Sequence, residues 1–237
     1  MNINDLKPAS SFAAKYGVKS IVYGKPGTGK TPMLNSAPRP ILLSVEPGLK
    51  SMGNSSIPTF EAHSIERIEE FFKWFFGSQE ANNFDTLAID SASQIAEISL
   101  AAKMIKFKDG RQVYGEMGKE VGKWFSDLFF LPNKHIIAIC KEGKEEVGSN
   151  MVNDGGVIKV EVQTRLRPYF PGNELNVKIP HQYDEIFHVD HRRIPGMGVV
   201  PAFLTKGNDK INARDRSGKL NEIEEPNWAN IIKKCSS

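Results

Sequence analysis

Short apolar runs alternate with longer amphipathic stretches through the first half of this chain. Apolar runs at residues 18–23, 41–45, 86–90 and 136–140 predict four β-strands. Between them, Ser64 is placed to cap a helix that extends to about Phe76, and further helices are predicted at 93–106 and 117–131. Buried strands separated by helices are typical of a parallel sheet that is covered on both faces.

The pattern changes in the second half of the chain. Residues 143–156 are polar and rich in Gly and Asn, which predicts a mobile loop. Apolar residues alternate with charged ones from 158 to 162, and further strands are predicted at 176–179, 186–189 and 199–205. Pro226 is a suitable first-turn proline for a last short helix through Ile232. The expected organisation is an N-terminal segment at 1–17, an α/β core at 18–165 and a β-rich extension of the same domain at 166–237.

Composition narrows the class of protein. The 237 residues are 40% hydrophobic and 25% charged, which excludes wholesale disorder. No apolar run approaches the roughly 20 residues that a membrane span needs, and the first residues do not have the order of a signal peptide. Two cysteines cannot build a disulfide framework, so we expect a reducing, cytoplasmic location. A net charge of +3 is too small to predict a nucleic-acid partner by itself, so local clusters must decide.

One segment matches the phosphate-binding pattern G-x-x-x-x-G-K-[ST] without a gap. It follows the strand at 18–23, as the motif requires. Backbone N–H groups of such a loop, with the N-terminus of the following helix, surround phosphate oxygens. Lys30 is expected to contact the β- and γ-phosphates, and the Thr31 hydroxyl to bind Mg²⁺. The predicted nucleotide-binding residues are Gly24, Lys25, Pro26, Gly27, Thr28, Gly29, Lys30, Thr31 and Pro32.

Two carboxylates are candidates for the remaining chemistry. Asp90 ends the strand at 86–90, which is where a phosphate-loop protein is expected to have the carboxylate that holds Mg²⁺ through the ion's own ligands. The next residue is Ser91, so no Glu directly follows it. Glu46 instead follows the strand at 41–45, where its carboxylate could take the proton of a water that attacks the γ-phosphate. The alternative for Glu46 is an ordinary surface residue before a Pro-Gly turn.

These segments together resemble the RecA/RadA type of P-loop core. More closely, the chain resembles the small phage-encoded RecA-like ATPases of the Sak single-strand annealing type. The resemblance covers nearly the whole chain and rests on the phosphate loop and on residues 45–50, 84–91, 167–168, 171–172, 183–186, 205–207 and 213–218. It implies a RecA-like P-loop NTPase core with a mostly parallel sheet. It also implies an ATPase with ATP and Mg²⁺ that binds single-stranded DNA, acts in annealing and recombination with a single-strand DNA-binding protein, and works in the cytoplasm of a bacterial host.

The resemblance also implies a homo-oligomer with the ATP site at the interface between protomers. A basic residue of the neighbour then neutralises charge on the γ-phosphate, and Arg214 and Arg216 are the candidates. Phe12-Ala13-Ala14 is similar to the Phe-x-x-Ala docking peptide of RadA-type filaments, although Lys15 replaces the final Ala. The chain departs from the family where a Gln or His senses the γ-phosphate, because Lys141-Glu142 stands there. Lys141 could still reach a phosphate, which makes it a candidate catalytic residue.

Two segments are candidates for DNA contact. Residues 103–114 combine Lys103, Lys106, Lys108 and Arg111 with two aromatic residues, which is suited to phosphate attraction and base stacking. The alternative is a solvated helix end. The segment at 143–156 offers Lys144 but also three acidic residues, and an ordinary connector fits it about equally well.

Other functions stay open at this point. A small-molecule or nucleotide phosphotransferase shares the phosphate loop but should show an Arg-rich lid, which is not evident. A nucleotide-dependent assembly or loader protein is supported by Lys141, and a ring helicase motor is a further rival. His188 and His191 lie on opposite sides of a predicted strand, so a structural role is favoured over a metal site.

Overall fold

A central sheet of mostly parallel strands organises the computed structural model, which describes residues 2–3, 6–8, 15–154, 157–194 and 198–236. Within these ranges the strands are β1 Lys19–Tyr23, β2 Pro40–Ser44, β3 Thr59–Glu61, β4 Thr86–Asp90, β5 His135–Cys140, β6 Glu142–Asp154, β7 Val157–Pro168, β8 Glu185–Ile194, β9 Gly198–Leu204, β10 Arg214–Asp215 and β11 Ile223–Glu224. The α-helices are α1 Ile65–Gly77, α2 Ala92–Lys106, α3 Gly110–Phe129, α4 Asn173–Gln182 and α5 Trp228–Ser236.

The strand order of this sheet is β11-β9-β8-β1-β5-β4-β2-β3, and β10 also pairs with β8. The neighbours from β8 to β3 are parallel, whereas β9, β10 and β11 pair antiparallel. The predicted α/β class with a mostly parallel sheet is confirmed. Strand β8, from the C-terminal segment, lies directly beside β1, so residues of both halves meet where the phosphate loop begins.

Helices cover both faces of the sheet, but unequally. On one face α1 to α4 bury a large cluster that includes Phe71, Phe125 and Ile179. On the other face the 3-10 helices Pro32–Ser36 and Leu49–Met52 pack together with α5, through residues such as Leu34 and Trp228. Strands β1, β2, β4 and β5 are buried on both sides, so their apolar runs could be recognised in the sequence, whereas the short, mostly exposed β3 was not predicted.

Local signals place several elements where the sequence predicts them. The Ser64 hydroxyl accepts a hydrogen bond from the Arg67 N–H and caps α1. Helix α3 begins at Gly110 rather than at 117, because Asp109 caps it by accepting from the Arg111 N–H at 3.0 Å. The C-terminal helix begins at Trp228, two residues after the proline expected to start it.

The predicted loop at 143–156 is wrong. Most of it is strand β6, which pairs with β7 in a long antiparallel hairpin separate from the central sheet. The polar composition fits a two-stranded ribbon whose described side chains are mostly exposed, so Gly and Asn here do not indicate irregular backbone. Val160 and Val162 are exposed on it, at 60% and 48%.

The predicted strand at 176–179 is also wrong, because these residues lie inside α4. Leu175 and Ile179, four positions apart, are both buried on one face of this helix. The buried Asn176 side chain accepts from the Phe170 N–H and donates to the Phe170 and Gly172 carbonyls, fixing the start of the helix.

Candidate functional site

The phosphate loop connects β1 to a single short helical turn. Gly27 and Gly29 have φ angles of +80° and +82°, which favour glycine. A Cβ at Gly24 would lie 2.7 Å from the Val189 carbonyl oxygen of β8, so the loop starts in close contact with that strand. The Lys30 Nζ donates to the Gly24 and Lys25 carbonyls, each at 2.8 Å. The Lys30 side chain therefore folds back over the phosphate loop and is hydrogen-bonded to its backbone.

The helix expected after this loop is a 3-10 helix of only five residues, Pro32–Ser36. Pro32 is compatible with its first turn, but Asn35, Ser36 and the nearby prolines at 38 and 40 favour an early end. A helix this short has a smaller dipole than the sequence predicts, so it contributes less to phosphate binding. The backbone of the loop and Lys30 must therefore supply more of the attraction for phosphate.

The two predicted Mg²⁺ residues lie together although they are 59 positions apart. The Thr31 hydroxyl donates to Asp90 Oδ2 at 2.5 Å. Burial raises the pKa of Asp90, and Glu46 adds to this, whereas the Thr31 hydroxyl and Lys30 oppose it. A hydroxyl and a carboxylate oxygen beside a phosphate loop are the donors that Mg²⁺ prefers, so these residues fit that ion.

The Glu46 carboxylate lies next to this pair. The Val45 and Glu46 N–H groups donate to the Asp90 carbonyl at 2.7 and 3.3 Å, which joins the ends of β2 and β4. The Ser91 hydroxyl donates to Glu46 Oε1. Lys141 Nζ lies 3.9 Å from the same oxygen, and the Glu46 side chain is 37% exposed. The carboxylate is therefore held in place yet remains open to solvent.

Lys141 lies mainly against α2. Its ammonium group donates to Gln94 Oε1 at 2.8 Å and pairs with Glu97 Oε2 at 2.6 Å. Its backbone N–H donates to the Ser93 hydroxyl at 2.9 Å, so the end of β5 is tied to the start of α2. The structure thus brings together Lys30, Thr31, Glu46, Asp90 and Lys141 at the carboxyl ends of the parallel strands.

Sequence reasoning missed the other side of the phosphate loop. Glu142 Oε2 lies 2.9 Å from His188 Nε2, and these side chains are 12% and 7% exposed. The His188 ring packs on Tyr23, with 4.9 Å between ring centroids. Burial lowers the pKa of Lys30, and Asp90, Glu142 and Glu46 oppose this, in that order. The one feature of the sequence that pointed to this pair is Glu142, which directly follows Lys141 at the end of a buried strand.

Arg214 and Arg216 lie away from these groups within the chain. Arg214 pairs in register with Ile186, which is level with Ile21 inside β1. Its guanidinium donates to the Pro180 carbonyl at 2.6 Å and to the Tyr183 carbonyl, at the end of α4. Arg216 donates to Asp184 Oδ1 and to the His181 carbonyl, both at 3.0 Å.

Strand β8 carries two arginines that the sequence analysis did not single out. Since Val189 lies beside Gly24, the residues that follow it extend past the phosphate loop. Arg192 pairs with Asp190 at 3.3 Å, and Arg193 is exposed. The sequence shows only two adjacent arginines shortly after the strand predicted at 186–189, because the sheet order, and not the local sequence, places this strand beside the phosphate loop.

The predicted DNA-contacting residues fall on different elements. Lys103 pairs with Glu120 at 2.6 Å, and both side chains are less than one-fifth exposed. Lys106, Lys108 and Arg111 are exposed at the turn between α2 and α3, whereas Lys144 is exposed on β6. The segment 12–14, expected to make a protomer contact, lies outside the described residues.

Two negative findings apply to the part of the chain that is described. No three or more His, Cys, Asp or Glu side chains are grouped there to hold a metal ion. No described helix is sufficiently long and apolar to cross a membrane.

Comparison with known proteins gives a family. A search of curated proteins found no match. A KaiC-like protein of the hyperthermophilic archaeon Pyrococcus horikoshii OT3 matches 80% of this chain and 78% of its own, with 12% identity and a TM-score of 0.42. The family model described as AAA domain matches residues 16–217, which include the phosphate loop, both carboxylates and the arginines of β8 and β10. The chain therefore belongs to the AAA-domain family of P-loop proteins.

Proposed function

We propose that this protein binds and hydrolyses ATP with Mg²⁺. The observation that supports the proposal is the convergence of Lys30, the Thr31–Asp90 pair and Glu46 at one end of the sheet. Lys30, Thr31 and Asp90 are the residue types that bind a triphosphate and its metal ion, and Glu46 is a carboxylate positioned beside them.

Each residue has a distinct role in this proposal. Lys30 leaves the loop carbonyls and binds the phosphates, and Thr31 and Asp90 hold Mg²⁺. The ion, when bound, neutralises charge on the phosphates. Glu46 accepts the proton of the attacking water, and we assign this to Oε2 because Ser91 engages Oε1.

The partners are proposed on narrower support. Single-stranded DNA is assigned to the turn between α2 and α3, where Lys106, Lys108 and Arg111 are exposed. A neighbouring protomer completes the ATP site with a cation. The candidates are Arg214 and Arg216, to which we add the exposed Arg193. Annealing with a single-strand DNA-binding protein follows from the resemblance.

A second candidate is a nucleotide-dependent assembly or loader protein with little turnover. The specific observation is Lys141, whose ammonium lies 3.9 Å from Oε1 of Glu46, the carboxylate that would have to accept the proton of the water. A loader of this kind would bind ATP normally and change its oligomeric state, but DNA would not stimulate hydrolysis.

The deciding experiment measures ATP hydrolysis with and without single-stranded DNA at two salt concentrations. Stimulation that fades as salt rises supports a DNA-linked ATPase, because phosphate contacts release counterions. The matched variant replaces Lys106, Lys108 and Arg111 with Gln and should lose the stimulation while keeping basal turnover. Binding of ATP without hydrolysis would favour the assembly protein, and absence of binding would overturn both candidates.

A further inference from the structure

Carboxylates surround the lysine that is to bind the phosphates. Asp90, Glu46 and Glu142 all act on Lys30 electrostatically. A nucleoside triphosphate carries several negative charges, so each nearby carboxylate weakens its binding unless that carboxylate has a partner of its own. The identity of these partners therefore bears on the affinity of the site.

Two of the carboxylates have partners within the site already described. Asp90 accepts from the Thr31 hydroxyl at 2.5 Å. Glu46 accepts from the Ser91 hydroxyl and lies near the Lys141 ammonium. Both stand where a metal ion or a water would be engaged during hydrolysis.

Glu142 has no role in that chemistry, and its partner comes from another strand. His188 Nε2 lies 2.9 Å from Glu142 Oε2, and the pair is nearly enclosed. His188 is in register with Tyr23, the residue before the phosphate loop, and its ring packs on the Tyr23 ring. His188 Nδ1 is buried with no hydrogen-bond partner among the described residues, which assigns the proton to Nε2, toward the carboxylate.

The same contact anchors the β6–β7 hairpin. Glu142 is the first residue of β6 and pairs in register with Pro168. The other leg is held by Tyr23, whose hydroxyl lies 3.0 Å from the Leu166 carbonyl and 2.7 Å from the Asn212 carbonyl. Both legs of the hairpin are thus fixed to the residues that flank the start of the phosphate loop.

We propose that His188 is a positioning residue that holds the Glu142 carboxylate against β8, where it does not compete with nucleotide phosphates for Lys30. The proposal rests on the proposed nucleotide binding but not on hydrolysis. Removing the imidazole leaves a nearly buried carboxylate without its partner, and Lys30, on which Glu142 already acts electrostatically, is a cation toward which it can turn. Removing the charge of Glu142 as well cancels the effect.

The test is a double-mutant cycle read as the Kd of Mg²⁺ with adenosine 5′-(β,γ-imido)triphosphate, measured by calorimetry. His188→Ala should weaken binding about tenfold, and His188→Gln, which keeps an N–H donor, should weaken it less than about threefold. The double variant His188→Ala/Glu142→Gln should return to the Kd of Glu142→Gln alone. His181→Ala, at an exposed histidine outside the site, is the matched control.

A second readout concerns the hairpin itself. Backbone amides at the base of β6 and β7 should exchange hydrogen faster in His188→Ala than in the wild type, and a correctly folded core should show unchanged exchange in β4 and β5. If the wild type does not bind the nucleotide, the proposed function fails. If it binds, but His188→Ala is unchanged in Kd or is not rescued by Glu142→Gln, the positioning role is wrong.

Discussion

At the scale of single residues, Lys30 and Glu46 carry separable parts of the proposed chemistry. Lys30→Ala removes the cation that binds phosphate, so we expect loss of nucleotide binding and of turnover.

Glu46→Gln keeps the shape of the side chain and its hydrogen bond from Ser91 but removes the basic carboxylate. It should bind the nucleotide like the wild type and lose turnover by about 10²–10⁴-fold. A fluorescent ATP analogue measures binding and phosphate release measures turnover. Normal turnover in Glu46→Gln would move the base elsewhere.

The buried Glu185, which lies outside the proposed nucleotide site, leads to a prediction on how the free energy of unfolding depends on pH. Glu185 is 1% exposed, and burial, with Asp215 beside it, raises its pKa from 4.5 to about 8. The native state then binds a proton that the unfolded state releases, so the free energy of unfolding falls as pH rises from 4.5 to about 8. The buried Lys19, whose pKa is lowered to about 8, adds the opposite slope only above that pH.

Glu185→Gln should therefore flatten this dependence and raise the free energy of unfolding at pH 8 by about 1–3 kcal/mol. The Ser217 N–H, which donates to Glu185 Oε1 at 3.2 Å, keeps its acceptor in the glutamine variant. Urea unfolding at several pH values between 5 and 8 measures the effect, and the exposed Glu222→Gln serves as control. An unchanged slope in Glu185→Gln would show that other groups cause it.

At the scale of elements, the Arg214→Ala variant tests whether Arg214 has a structural role or a catalytic one. Its guanidinium donates to the Pro180 and Tyr183 carbonyls and so satisfies the C-terminal end of α4. Arg214→Ala should lower the free energy of unfolding by about 2 kcal/mol, because charged hydrogen bonds to enclosed carbonyls are lost. Arg216→Ala, at a side chain that is 46% exposed, should cost less. If Arg214→Ala left stability unchanged and reduced turnover, the cap would be secondary to a role in trans.

The elements that were predicted correctly are those marked by one strong local pattern in the sequence, such as an apolar run or a capping residue. Strands β1, β2, β4 and β5 are buried on both faces and mostly apolar, and the α1 cap is a serine at the right spacing. The described side chains of β6 are mostly exposed and polar, so no apolar period marked this strand. Helix α4 was misread because alternation over four residues, 176–179, hid the longer period of its buried side chains.

The same reasoning explains which site residues were found. Lys30 and Thr31 belong to a contiguous motif, and Asp90 and Glu46 follow buried strands, so local sequence indicated them. Glu142 and His188 are 46 positions apart, and only the order β8-β1-β5 brings them together. Nothing local in the sequence specifies that order.

At the scale of the whole molecule, we propose that a neighbouring protomer completes the ATP site. Arg214 and Arg216 are engaged with the end of α4, while Arg193 is exposed on the part of β8 that extends past the phosphate loop. A cation from a neighbouring protomer would complete the charge around the γ-phosphate. Turnover per protomer should then rise with protein concentration.

Mixing inactive variants tests this directly. Lys30→Ala lacks a working nucleotide site but keeps every arginine, whereas Arg193→Ala keeps the site and lacks one candidate cation. Each should be nearly inactive alone, and an equimolar mixture should regain turnover at the interfaces where an intact site meets an intact arginine. Arg214→Ala and Arg216→Ala are mixed with Lys30→Ala in the same way, and the arginine whose loss is complemented is the one acting in trans. If no mixture regains activity while sedimentation shows mixed oligomers, the site is completed within its own protomer.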